Sequence, residues 1–190
     1  MDPSAEAIAA SIDDPSRFTD VFDRYHGVIW RYIARSWGPD IADDLAGDVF
    51  VQAFVGRDRF DASKGNVRAW LYGIATNTMR SAARRAGRAE RAHARIADAS
   101  ADLDATVLID EADELEQHIA EVRRAIYLLD ERDFEVLVLI AWEGLSYIDA
   151  ATALGVPLGT VRSRLSRART RLRALVDADR ARRHETEAQP

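Results

Sequence analysis

GVPLGTVRSRLSRARTRLR, from Gly155 to Arg173, is the stretch whose reading decides the fold. It holds six arginines and no acid, in a chain of 190 residues with a formal net charge of −6. Val161, Leu165, Ala168, Leu172 and Leu175 recur at helical spacing and form one apolar face. Arg162, Arg164, Arg167, Arg169, Arg171 and Arg173 take much of the remaining surface. Like charges one turn apart repel, so this helix needs an acidic neighbour or a polyanion. The preceding residues choose between these. Ser146 is placed to cap a short helix, YIDAATAL. Ala151 is small where two helices cross closely. Gly155, four residues later, permits the positive φ of a tight turn. Val161, six further on, is spaced to pack back on the first helix. The pattern predicts a helix-turn-helix whose second helix enters a major groove. The competing reading is a helical hairpin with a solvated arginine face.

Helical spacing recurs through the rest of the chain, and strand-like alternation persists nowhere, so the expected fold class is all-α. Asp14 and Pro15 read as a helix start. Phe18, Val21, Phe22, Tyr25, Ile29, Tyr32 and Ile33 then share a face, until Gly38 and Pro39. A second helix, from about Asp40 to Phe54, is expected to turn Ile41, Leu45, Val49 and Ala53 inward. GRDRFDASKGN, Gly56 to Asn66, reads as a loop. A third helix follows, with Val67, Trp70, Leu71, Ile74, Thr78 and Ala82 on one side. Between Ile96 and Val122 there is no cation and many acids. Such a charge run resists packing. Beyond it, apolar faces resume at Leu115, Ile119, Val122, Ile126 and Leu129, and Asp130 can cap a helix that stops at Gly144. The expected organisation is a disordered N-terminus (1–13), a helical module (14–86), a flexible acidic linker (87–114), a second helical module (115–177) and a frayed tail (178–190).

Composition narrows the function. Without cysteine, a disulfide framework and a thiolate metal site are both excluded. The longest apolar runs, such as Val136 to Trp142, are too short to span a bilayer. The acidic N-terminus lacks the basic start and apolar stretch of a secretory signal, so a cytoplasmic protein without membrane insertion is expected. His26, His93, His118 and His184 are scattered, with no nucleophile motif, metal spacing or phosphate-binding glycine loop. No catalytic residue, metal or cofactor is expected, and the chain is not read as an enzyme.

On the second module, Thr160, Arg162, Ser163 and Arg164 open the helix expected in the groove. An arginine there can take guanine O6 and N7 together, worth about 1–3 kcal/mol of discrimination. Arg167, Arg169 and the arginines up to Arg173 are placed along phosphates.

LSYIDAATALGVPLGTVRSRLSRARTRLR resembles region 4 of the extracytoplasmic-function (ECF) sigma factors, a group of the sigma-70 family. IADDLAGDVFVQAF resembles their region 2.2, and WLYGIATN their regions 2.3 to 2.4. The resemblance covers about Ser16 to Asp177. It implies a non-catalytic promoter-recognition subunit of RNA polymerase, with core polymerase and promoter DNA as partners and an anti-sigma factor as a further candidate. Region 4 then reads the −35 element, and region 2 melts and reads the −10 element. The sequence departs from the family pattern at Ala150 (usually isoleucine), Gly47 (often glutamine), Thr76 (arginine), Ser81 (often aspartate) and Asp130 (proline).

Within region 2, the third helix is expected to expose Arg68, Asn77, Arg80, Arg84 and Arg85, with Phe60, Lys64 and Asn66 in the loop before it. A basic face beside a loop aromatic suits a single strand, with phosphates on arginine and an unstacked base in a pocket. Phe60 either packs the loop or touches a base. Trp70 and Tyr72 could also stack, although Trp70 fits the core stripe. Asp43, Asp44 and Asp48 project from the second helix. Asp44 and Asp48 make either a solvated acidic face or, as the resemblance implies, a docking face for a basic coiled coil of the polymerase clamp. The linker is either a soluble spacer or, by the same resemblance, a tether in the RNA-exit path. Outside the sigma reading, the alternative is a helix-turn-helix regulator that binds duplex DNA without polymerase.

Overall fold

The computed structural model of the chain describes residues 2–97, 121, 122 and 124–187. Among them every regular element is helical. Helix α1 is Pro3–Asp13, capped by the Asp2 carboxylate, which accepts from the Ser4 N–H at 3.0 Å. A 3₁₀ turn, Pro15–Phe18, leads into α2, Thr19–Trp37. The Asp14 carboxylate caps that turn, accepting from both the amide and the hydroxyl of Ser16. Gly38 turns at φ 88° into α3, Pro39–Val55. After a loop, Asn66 caps α4, Val67–Ala97, by accepting from the Ala69 N–H at 2.8 Å. Val21, Ile29 and Ile33 of α2, Ala46 and Val49 of α3, and Val67 and Leu71 of α4 make the centre of this first module.

The first described residues of the second module, 121, 122 and 124–127, are helical; Asp130 follows, and its carboxylate caps α5, Glu131–Leu137. The helix continues as a π turn, Val138–Trp142, in which Glu143 N–H donates to Val138 O at 3.0 Å. Such an insertion shifts the register of the side chains that follow. Gly144, at φ 63°, ends it. Ser146 caps α6, Tyr147–Leu154. Gly155 adopts φ 62°, and the bonds Val156 N–H to Ala151 O and Gly155 N–H to Thr152 O close a Schellman turn. Helix α7, Leu158–Glu187, packs Val161, Leu165 and Ala168 against α5 and α6. This is the helix-turn-helix that the opening stretch predicts. The fully buried small residue of α6 is Ala150, while Ala151 is half-buried.

Several expectations are corrected. Within the N-terminal stretch expected to be disordered, Pro3–Asp13 form α1, whose Ile8 is 1% exposed. Their apolar stripe is short, and the helix is held from outside. Ser4 Oγ meets Tyr25 Oη at 3.1 Å, and Arg57 Nε donates to Ser11 O at 3.1 Å. Ile41, expected inward, is 39% exposed, because the inward face of α3 is carried by Ala42, Leu45, Ala46 and Val49. Helix α4 runs through Gly87 to Ala97, so the first part of the expected linker is helix. The remainder of that linker, with Leu115 and Ile119, lies outside the described residues. Helix α7 likewise continues past Val176 into the expected tail.

The two modules also pack on each other, with α4 lying against α6 and one apolar cluster running through both. At Gly73, α4 comes close to the α6 backbone: a Cβ there would stand 2.9 Å from Ala153 O.

If α1 belongs to the core, Ile8→Ala should lower unfolding stability by about 2–5 kcal/mol, as a buried large-to-small change does. Ile12→Ala, at a position 53% exposed, should stay within about 0.5 kcal/mol. Urea denaturation of the full chain measures both. Equal effects would mean α1 does not dock through Ile8.

Candidate nucleic-acid interface

At the start of α7, Arg162 and Ser163 are exposed, as is Arg169 two turns on. Ser163 Oγ donates to Thr160 O at 3.0 Å, and Thr160 is half-buried. Arg167 is not free along the helix. Its Nη2 lies 3.0 Å from Asp133 Oδ1, and its Nε donates to Oδ2. Arg164 is half-buried, with a buried Nη1 that has no hydrogen-bond partner. It lines a cavity of about 400 Å³ with Arg80, Arg84, Glu131, Arg132 and Glu135.

The loop before α4 is built around Asp61. Its carboxylate accepts from the Ser63 amide at 3.0 Å and hydroxyl at 2.6 Å, and pairs with Lys64 Nζ at 3.1 Å. The Ser63 hydroxyl, then Lys64, bring the Asp61 carboxyl down to about 2. Phe60, Lys64, Asn66 and Asn77 come together along a second cavity of about 490 Å³. Phe60 packs against Trp70, ring centroids 5.2 Å apart. Tyr72 is fully buried and cannot stack on a base; burial and the adjacent Glu143 carboxylate push its phenol well above the ordinary tyrosine range. Arg80 and Arg84 lie apart, on the first cavity. The expected strand-binding set therefore divides into two groups along α4.

Each group meets an acid of the second module. Arg80 reaches both oxygens of Glu135, Nε at 2.8 Å and Nη2 at 2.6 Å. Asn66 Nδ2 donates to Asp149 Oδ1 at 2.8 Å. Between them Glu143, only 6% exposed, accepts from Arg35 Nη1 and Tyr72 Oη, while its backbone carbonyl accepts from Arg68. The sequence reading singled out none of these acids. One signal was present: in FEVLVLIAWEG, Glu143 closes an apolar run with no cation within a turn. A carboxylate so placed must find its partner in another part of the fold.

On α3, Asp44 and Asp48 are exposed, whereas Asp43 accepts from Trp30 Nε1 at 2.6 Å. Val51 and Val55 continue the Asp44–Asp48 stripe as exposed apolar residues. Thr76, where the family pattern has arginine, is buried, its hydroxyl between Tyr32 Oη and Tyr72 O. Among the described residues no cluster of histidine and acidic side chains could hold a metal, and no helix is long and apolar enough to cross a membrane.

Comparison with known proteins agrees with this geometry. Residues 21–89 match the family described as sigma-70 region 2, and residues 119–172 match sigma-70 region 4. The chain is 33% identical to the ECF RNA polymerase sigma factor EcfG of Rhodopseudomonas palustris, over 77% of each chain. It is 37% identical to the RNA polymerase sigma factor CnrH of Cupriavidus metallidurans, over 81% of this chain and 84% of that one. A solved structure of CnrH in complex with the cytosolic domain of CnrY matches with a TM-score of 0.66 at 32% identity, covering 94% of this chain and 99% of that one. The sigma factor RpoE of Bartonella quintana, solved with the anti-sigma factor NepR, matches with a TM-score of 0.61 at 30% identity, over 85% and 98%. The chain belongs to the ECF sigma factors of the sigma-70 family.

Because Arg167 already faces a carboxylate, it should contribute less than Arg169 to phosphate binding. Arg169→Ala should shallow the log–log salt slope of duplex binding by about 0.9, the loss of one phosphate contact. Arg167→Ala should change it by less. Fluorescence anisotropy across a salt series measures the two slopes, and the reverse order would remove Asp133 as the restraint on Arg167.

Proposed function

We propose that this sigma factor binds core RNA polymerase and directs it to promoters through two separate DNA contacts. The observation that carries the reading is the exposed arginine face at the start of α7, presented by a helix-turn-helix in the same chain as a region 2 module. Arg162 and Ser163, with Thr160 and Arg164 beside them, are positioned to meet base edges of a −35 element in a major groove. Arg169 and, when released from Asp133, Arg167 follow the phosphates. In region 2, Phe60, Lys64, Asn66 and Asn77 surround a space that suits an unstacked base of the −10 element, and Arg80 and Arg84 suit its strand's phosphates. Asp44 and Asp48 form the face for a basic surface of the polymerase, where complementary charge sets orientation and on-rate. The chemistry of RNA synthesis belongs to the polymerase, so no catalytic step falls to this chain. An anti-sigma factor is a further proposed partner, by likeness to relatives solved with such proteins. The setting is the cytoplasm, where polymerase works.

The direct experiment mixes the full chain with sigma-free core polymerase and a promoter library. Promoter-specific transcripts are expected. Tight duplex binding with no polymerase contact would instead make the chain an ordinary helix-turn-helix regulator.

Two sets of variants refine the reading. Arg162→Ala or Arg164→Ala should relax upstream sequence preference while leaving polymerase binding intact. Unaltered promoter choice in both would displace base reading from the start of α7. Asp44→Arg with Asp48→Arg should weaken the complex with core polymerase, and an unchanged Kd would refute that docking face.

A further inference from the structure

We propose that the cavity bounded by α4, α5 and α7 is a binding site for a small phosphate dianion, either free orthophosphate or the terminal phosphate of a phosphomonoester. The inference goes beyond the sigma reading above and gives this cavity a ligand other than DNA.

The site begins with spacing. Arg80 and Arg84 stand one turn apart on α4 and share a face. Arg132, in the first turn of α5, and Arg164, on α7, bring two more guanidinium groups to the same cavity of about 400 Å³. Sites for small molecules commonly run from about 300 to 1,000 Å³. Leu154 and Val156 give the cavity an apolar wall, which lowers the local dielectric and strengthens any ion pair made there.

Charge within the cavity does not balance. Four guanidinium groups face two carboxylates, Glu131 and Glu135, a formal excess of two positive charges. Glu135 is already engaged, with both of its oxygens on Arg80. Among the described residues no carboxylate pairs with Arg84, Arg132 or Arg164. Arg84 donates to a neutral acceptor, the Ser81 hydroxyl, at 2.8 Å. Arg164 carries the argument furthest, since its Nη1 is buried and has no hydrogen-bond partner among the described residues. A buried cationic N–H without an acceptor is costly, and native structures normally supply one. A water would satisfy the N–H but leave the excess charge, whereas an anion meets both.

The charge selects the anion. A phosphomonoester carries about −1.5 to −2 at neutral pH, which matches the excess, and offers three acceptor oxygens. Guanidinium forks take phosphate oxygens in pairs. A lone carboxylate or a phosphodiester link brings one charge and leaves the other unmatched.

Isothermal titration calorimetry on the full chain tests this, with no polymerase or promoter present and ionic strength held constant with chloride. Orthophosphate and adenosine monophosphate are the probes. At least one should bind saturably, one ligand per chain, and should raise the unfolding temperature as a ligand of the native state must. Arg132→Ala and Arg164→Ala should each weaken that binding by about tenfold or more. Arg132 is exposed, so its removal leaves the core untouched and keeps the test decisive should Arg164→Ala fail to fold. Arg31→Ala, at an exposed position of α2 outside the cavity lining, should bind like wild type. Affinity for orthophosphate equal to or above that for the monophosphate identifies free phosphate as the ligand. Tighter binding of the monophosphate identifies a carried phosphate. No saturable binding of either probe in the millimolar range, or binding that both alanine variants leave unchanged, would overturn the proposal. So would an Arg132→Ala variant that loses affinity for promoter DNA alone, which would return the cluster to the nucleic-acid interface. Each readout is taken without polymerase, so this site can fail while the sigma reading stands.

Discussion

A buried carboxylate, Glu143, ties the second half of this molecule to two helices of the first. An ionised carboxylate taken out of water is costly unless it is both paired and hydrogen-bonded. Here the pairing comes from a different module, since Arg35 lies on α2 and Tyr72 on α4. No cation lies within a turn of Glu143 on its own segment, and its side-chain partners come from the first module. The π turn that precedes it helps set its direction, by adding a residue to the register just before the helix ends at Gly144.

Around that node the interface mixes two kinds of interaction with different tolerances. Close backbone packing at Gly73 and the shared apolar cluster demand shape, and a single added methyl is felt there. The Arg80–Glu135 fork and the Asn66–Asp149 bond demand charge and geometry; Glu135 is buried, whereas Asn66 is exposed and Arg80 and Asp149 are half-buried. Such pairs add modestly to stability, because Coulomb attraction and desolvation nearly offset one another. They add more to specificity, since a misplaced module leaves charges unpaired.

Charge is distributed accordingly. The chain is acidic as a whole, yet its guanidinium groups are gathered on α4 and α7 and treated differently on the two helices. On α7 they largely face solvent, with Arg167 restrained by Asp133 from within its own module. On α4 the central ones are engaged by the other module. A third surface, the Asp44–Asp48 stripe of α3 with Val51 and Val55, takes no part in either arrangement and stays exposed.

The sequence alone determined the elements whose cause is local. Helix faces follow from apolar spacing, the ends of α5 and α6 from Asp130 and Ser146, and the helix-turn-helix bend from Gly155, because caps and positive φ depend on one or two residues. The arginine face of α7 was legible for the same reason, since a periodic surface needs no partner to be seen. What tertiary structure decided was anything set by a distant neighbour. Helix α1 is too weakly patterned to announce itself and is fixed by Tyr25 and Arg57. Tyr72 reads as a ring that could stack on a base, until the fold buries it beside Glu143. Asn66 reads as a free polar group in the loop before α4, and Arg68 and Arg80 as free groups on that helix; only the packing of the second module against them supplied Asp149, the Glu143 carbonyl and Glu135 as their partners. Periodicity reports which side of a helix is apolar, but which charge ends up opposite a given arginine depends on contacts more than fifty residues away.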